Sequence, residues 1–275
     1  MTSVSLHASP RWPTVMVEQM CSVGLLLREG AAMLLTAFGA MSAIGIYAAR
    51  DARAFNIVHP AQTINVNLAF HPGMSIVVAV IGALLPFLVW QDEDPSRRLY
   101  HWAMPISRRS HSLSKVVAGW AWMMVVTLLF VLTIGAVSTI IERSSGLAQR
   151  HEAGFAPWEW AVPFGCATIT YLLASAFAVG VRRPVIWLGS IAAGYGFLHF
   201  ALAALDMRNA LRQARSLVFG AYGLFSAISG RIYAVDMETL VIGPDVLTWL
   251  GGFALWTGVG AVLLVAALAR HVEPS

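Results

Sequence analysis

The chain has 275 residues, 58% hydrophobic and 12% charged, with a mean hydropathy of +0.70 and a formal net charge of +4. One soluble core of that size cannot bury so much apolar surface. The basic residues sit between apolar runs instead of forming a continuous stripe, which excludes a nucleic-acid-binding face.

Several runs of about 18 or more residues lack Asp, Glu, Lys and Arg, the pattern of membrane-spanning helices. The sequence therefore reads as an all-α integral membrane protein forming a single domain over 1–275, with no internal repeat or linker. Cys21 and Cys166 give no disulfide framework, and Cys166 falls inside an apolar run as a small packing residue.

Residues 1–13 lack the apolar core and cleavage site of a secretory signal, so the first span is expected to drive insertion. Over 12–27, Trp12, Val15, Met16, Met20, Val23 and Leu26 alternate with Glu18, Gln19 and Ser22. That mixture predicts an amphipathic helix on the membrane surface, the alternative being an extension of the first span. Six spans are expected, near 31–49, 73–90, 116–141, 158–180, 184–205 and 246–269. At ~1.5 Å per residue each crosses a hydrocarbon core of ~30 Å, the shortest with little tilt. Trp90, Trp120, Trp122, Trp158, Trp160 and Trp249 mark their ends.

A polar island at 91–115 separates the second and third spans. It holds three consecutive acids, Asp92, Glu93 and Asp94, four arginines and the one lysine, Lys115. Asp94 suits a helix N-cap and Pro95 a first turn. A short helix over 96–104 would then lie across the membrane face, with Leu99, Trp102 and Ala103 apolar and Arg97 and Arg98 turned to water or a partner. Adjacent acids on a helix do not share a face, so the acids favour a helix start over a metal site.

The connection at 206–245 contains an apolar stretch, 216–230, bounded by Arg215 and Arg231. It is short for a crossing and predicts a re-entrant or interfacial helix pair. The five basic residues between spans two and three place that loop inside, and with it both termini.

The span interiors hold no carboxylate, lysine or arginine, against the expectation for a proton-coupled transporter. His199 is the ionisable group near mid-span, beside tyrosines such as Tyr171 and Tyr195. It reads as a packed residue bonded to a neighbouring carbonyl, since a haem would need a second axial ligand. Lys115 follows Ser-His-Ser-Leu-Ser, which forms no phosphate loop, and no metalloprotease, nucleophile-elbow or Cys-x-x-Cys motif occurs. Small residues Gly39, Ser42 and Gly45 in the first span, and Gly189, Ala193 and Gly196 in the fifth, allow a dimer face or packing within one subunit.

The island resembles the corresponding segment of ABC-2 type permeases, the membrane subunits of one class of ATP-binding-cassette exporters. The matching residues are Glu93 and Asp94, the segment 97–102, Met104-Pro105-Ile106-Ser107-Arg108-Arg109 and Lys115, while Pro95-Ser96 and Tyr100-His101-Trp102 depart from the family pattern. The six-span layout, amphipathic N-terminal helix and re-entrant connection also look like that family. The resemblance implies a non-catalytic permease with a cytoplasmic coupling helix. It implies ATPase docking through Glu93, Asp94, Arg97, Arg98, Leu99, Trp102 and Arg108. Its partners would be cytosolic ATPase subunits, which bind the ATP and Mg, and a second permease copy or homologue, in a bacterial inner membrane. No cofactor or metal is expected in this chain. The charge-free spans suit an amphipathic or apolar substrate. The rival reading is a non-transporting scaffold that recruits a soluble partner through 91–115.

Overall fold

A computed structural model describes residues 12–58, 76–91, 108–145, 157–181, 183–230, 232–233, 241–242 and 245–271. These form α1 (Trp12–Val58), α2 (Ile76–Gln91), α3 (Arg108–Ser145), α4 (Val162–Gly180), α5 (Pro184–Ala204), α6 (Arg208–Phe219), α7 (Leu224–Ser229) and α8 (Val246–His271). A 3-10 turn, Pro157–Ala161, leads into α4. The chain is all-helical in these regions apart from a two-residue antiparallel ladder that pairs Ile232 with Ile242 and Tyr233 with Val241.

Among the described residues, four helices are long and apolar enough to cross a membrane: Ser110–Val137, Pro157–Gly180, Ile186–Ala204 and Val246–Arg270. A fifth arises if the two limbs of α1, Pro13–Arg28 and Gly30–Ala40, count as one span. The stretch Val77–Trp90 is apolar but shorter.

The amphipathic segment and the first span, expected as two elements, are one helix of 47 residues. Straight, it would reach about 70 Å. It bends by 58° between Arg28 and Gly30, where glycine offers least resistance to a kink. The N-terminal limb packs against the rest of the chain along one side. Val15, Gln19 and Val23, four apart, form one buried stripe, and α1 packs chiefly on α3. The Trp122 indole N–H donates to the Met20 carbonyl at 2.9 Å, and Gly24 leaves room for that ring. Beyond the bend, Phe38 meets Phe130 with ring centroids 6.1 Å apart.

At the centre stands α4, packed against α2, α8, α3 and α7. Eleven of its residues are buried, among them Cys166, Ala167, Ile169, Tyr171 and Ala176. Small residues permit this density: Gly82 of α2 lies against Thr170, and Gly180 against Ala267 of α8. Pro86 sits buried inside α2.

By contrast α5 meets the bundle mainly through α6, and its Ile186, Trp187, Ile191, Phe197 and Phe200 are all exposed. The connection 206–245 contains α6 and α7, of 12 and 6 residues, both too short to span ~30 Å of hydrocarbon. Two α8 indoles hold this pair to the bundle: Trp249 donates to the Ala227 carbonyl at 3.2 Å and Trp256 to the Tyr222 carbonyl at 2.9 Å.

Candidate functional site: the base of the polar island

The island leaves α2 after Gln91 and returns at Arg108, the first residue of α3. Its expected docking residues Glu93, Asp94, Arg97, Arg98, Leu99 and Trp102 lie outside the described residues. Arg108 opens α3, with its side chain also outside them.

The two feet of the island are in contact. The Lys115 ammonium lies 4.7 Å from the centroid of the Trp90 ring, a cation held over an aromatic face. Lys115 is only 9% exposed, and Ser114 beside it is fully buried. An ammonium in that position costs desolvation unless a face such as Trp90 offsets it. The Ser114 hydroxyl is satisfied locally, donating to the His111 carbonyl at 2.8 Å. At the residue after Lys115, Tyr171 of α4 donates its hydroxyl proton to the Val116 carbonyl at 3.0 Å. Gly119 leaves the space for that oxygen. The start of α3 is thus clamped from two sides, by α2 through Trp90 and by α4 through Tyr171.

Sequence reading singled out Lys115 but missed both clamps. The available hint was the pairing of Trp90 at the end of one apolar run with the lone lysine at the start of the next. The tyrosine clamp left a fainter trace, a glycine inside a span.

The small residues expected at a dimer face fall on two helices with different neighbours. Gly39 and Ser42 face α3 across an open groove, and the Ser42 hydroxyl donates to the Phe38 carbonyl at 2.7 Å. Gly45 lies on the same helix. Gly189, Ala193 and Gly196 are exposed on α5, and no atom lies within 4 Å of a Cβ built at Gly189 or Gly196.

His199 has a different partner from the expected carbonyl. Its Nε2 accepts a hydrogen bond from the Arg215 Nε at 2.8 Å, joining α5 to α6, with Tyr195 alongside at a 6.3 Å centroid distance. The reason is proximity: the tight corner after α5 folds α6 back. Asp206 takes φ 51° there, a conformation Asp tolerates better than most residues, and its carboxylate accepts from Arg208 at 2.9 Å.

No protein-family model, curated protein or solved structure matches this chain.

Proposed function

We propose that this chain is the membrane-spanning permease of a transporter powered by a separate ATPase, with the island 91–115 as the ATPase docking surface. The observation that carries this reading is the Lys115–Trp90 contact. A loop that only set topology would need no fixed base, whereas one that passes force from a soluble motor into the membrane needs a stiff one. Clamping α3 to both α2 and α4 supplies that stiffness.

In this reading the chain has six spans, the two limbs of α1 forming the first and the helix containing Ile76–Gln91 the second. The pair α6 and α7 is re-entrant, and both termini are cytoplasmic. A second copy, or a homologue, packs on the exposed apolar side of α5. ATP and Mg belong to the soluble partner, and the chain resides in a bacterial inner membrane.

The test is affinity purification of the tagged chain from its native membrane, followed by partner identification and an ATPase assay. An ATPase that co-purifies, and is lost on R97A/R98A/W102A while the chain still inserts, is the expected result. Purification without any nucleotide hydrolase would favour the scaffold that recruits another soluble protein through 91–115.

A further inference from the structure

The groove between α1 and α3 has a volume of about 530 Å³, within the range of pockets that hold a small ligand. Leu27, Leu34, Phe38, Val126 and Leu129 supply hydrocarbon walls. The hydroxyls along it are already used. Thr133 donates to the Leu129 carbonyl at 2.7 Å, and Ser42 and Trp122 are bonded as described above.

What remains polar is Arg28. It lines the groove at the α1 bend and has no acid partner among the described residues. The facing wall, from Trp122 to Thr133, falls inside the candidate span Ser110–Val137. A sequence reading counts Arg28 as a loop charge before the first span, whereas the bend carries it alongside the third. A guanidinium beside a span is costly unless it reaches water or meets an anion.

We propose that this groove binds a single-chain anionic amphiphile, with its alkyl tail along the α1–α3 trough and its acidic head on Arg28. Charge complementarity selects the occupant: an apolar trough with one cation near its end, which has no acid partner among the described residues, suits a hydrocarbon chain ending in one anion. The inference rests on the membrane placement proposed above and not on ATP coupling, so it is tested on the chain alone.

The full chain in phosphatidylcholine nanodiscs is photolysed with a long-chain fatty acid bearing a diazirine in its tail. Labelling is expected to concentrate on peptides carrying 24–42 and 122–133. Excess unlabelled fatty acid should displace it, and the matched alkyltrimethylammonium should not. Arg28→Gln should weaken displacement by the acid about ten-fold or more, as loss of a charged hydrogen bond does, and leave that by the matched alcohol unchanged. Gly39→Phe should abolish groove labelling, because Gly39 lines the groove and the open space beside it admits a ring. Val125→Trp blocks the opposite wall if the first variant fails to fold. Equal displacement by the alkylammonium, indifference to Arg28→Gln, or labelling spread evenly over every lipid-facing helix would overturn the proposal.

Discussion

Tyr171 reaches the Val116 carbonyl, 3.0 Å away on the neighbouring helix, because residue 119 has no side chain. A methyl at Gly119 would occupy the position of the tyrosine oxygen, and both residues are buried. Gly119→Ala should therefore destabilise the fold by about 1–3 kcal/mol, the usual cost of overpacking. Tyr171→Phe alone should cost about 1 kcal/mol for the lost hydrogen bond. The double variant should be no worse than Gly119→Ala alone, since removing the hydroxyl relieves the clash. Equilibrium unfolding in mixed micelles measures all three, and strictly additive losses would show that the two residues do not share this space.

The Lys115–Trp90 contact makes a separable prediction. Trp90→Leu should cost about 1–2 kcal/mol beyond its loss of apolar area, because a mostly buried ammonium loses its aromatic face. With Lys115→Met in place, the same tryptophan change should cost measurably less. Trp90→Phe, which keeps a ring, should fall between wild type and Trp90→Leu. If the cycle shows no coupling, the base of the island is held by something else.

The four helices long and apolar enough to cross a membrane were legible because hydrocarbon thickness demands charge-free windows, and such windows show in any single chain. α4, α5 and α8 follow the expected boundaries closely for that reason. The bend of α1 was not legible. Arg28-Glu29-Gly30 looks like the ordinary charged border of a span, and only three-dimensional packing reveals that the helix continues and carries Arg28 along α3. The same holds for the clamps at α3. A charge-free apolar run places Trp90 and Tyr171 within expected spans, yet it cannot say which face turns inward or which backbone or cation each one meets. The short ladder at Ile232 and Ile242 escaped as well, since two residues per strand carry no usable periodicity. His199 was noticed for its chemistry and misassigned for want of the corner at Asp206.

The Arg215–His199 hydrogen bond ties α6 to α5, a helix with few other contacts to the chain. Substituting His199 by Leu leaves a half-buried guanidinium without that acceptor, so α6 should open more often. Amide exchange over 208–219 is expected to accelerate by roughly ten-fold, as loss of one charged hydrogen bond predicts. His199→Asn, which keeps an acceptor, should restore part of the protection. Exchange in α2 and α4 should not move, because neither helix packs substantially on α6. Unchanged protection of α6 in the leucine variant would mean that its apolar side alone holds it in place.

Asp245 sets the start of α8. Its carboxylate accepts from the Thr248 backbone N–H at 3.1 Å, and its own carbonyl accepts from Trp249 N–H at 3.1 Å, the geometry of an N-cap. Hydrogen bonding by the Thr248 side chain and backbone holds this carboxyl below the ordinary carboxylate range. A lowered folded value means that the unfolded chain binds the proton first as pH falls. The cap therefore contributes fully above the ordinary carboxylate value, and its contribution fades as pH drops through the depressed folded value. Amide exchange at 247–249 should show the first turn of α8 fraying only in that acidic window. Asp245→Asn keeps an acceptor at the cap but has no proton to gain there, so it should remove the acid-dependent component and leave the neutral-pH protection nearly intact. Identical acid profiles for the two proteins would place the titrating group elsewhere.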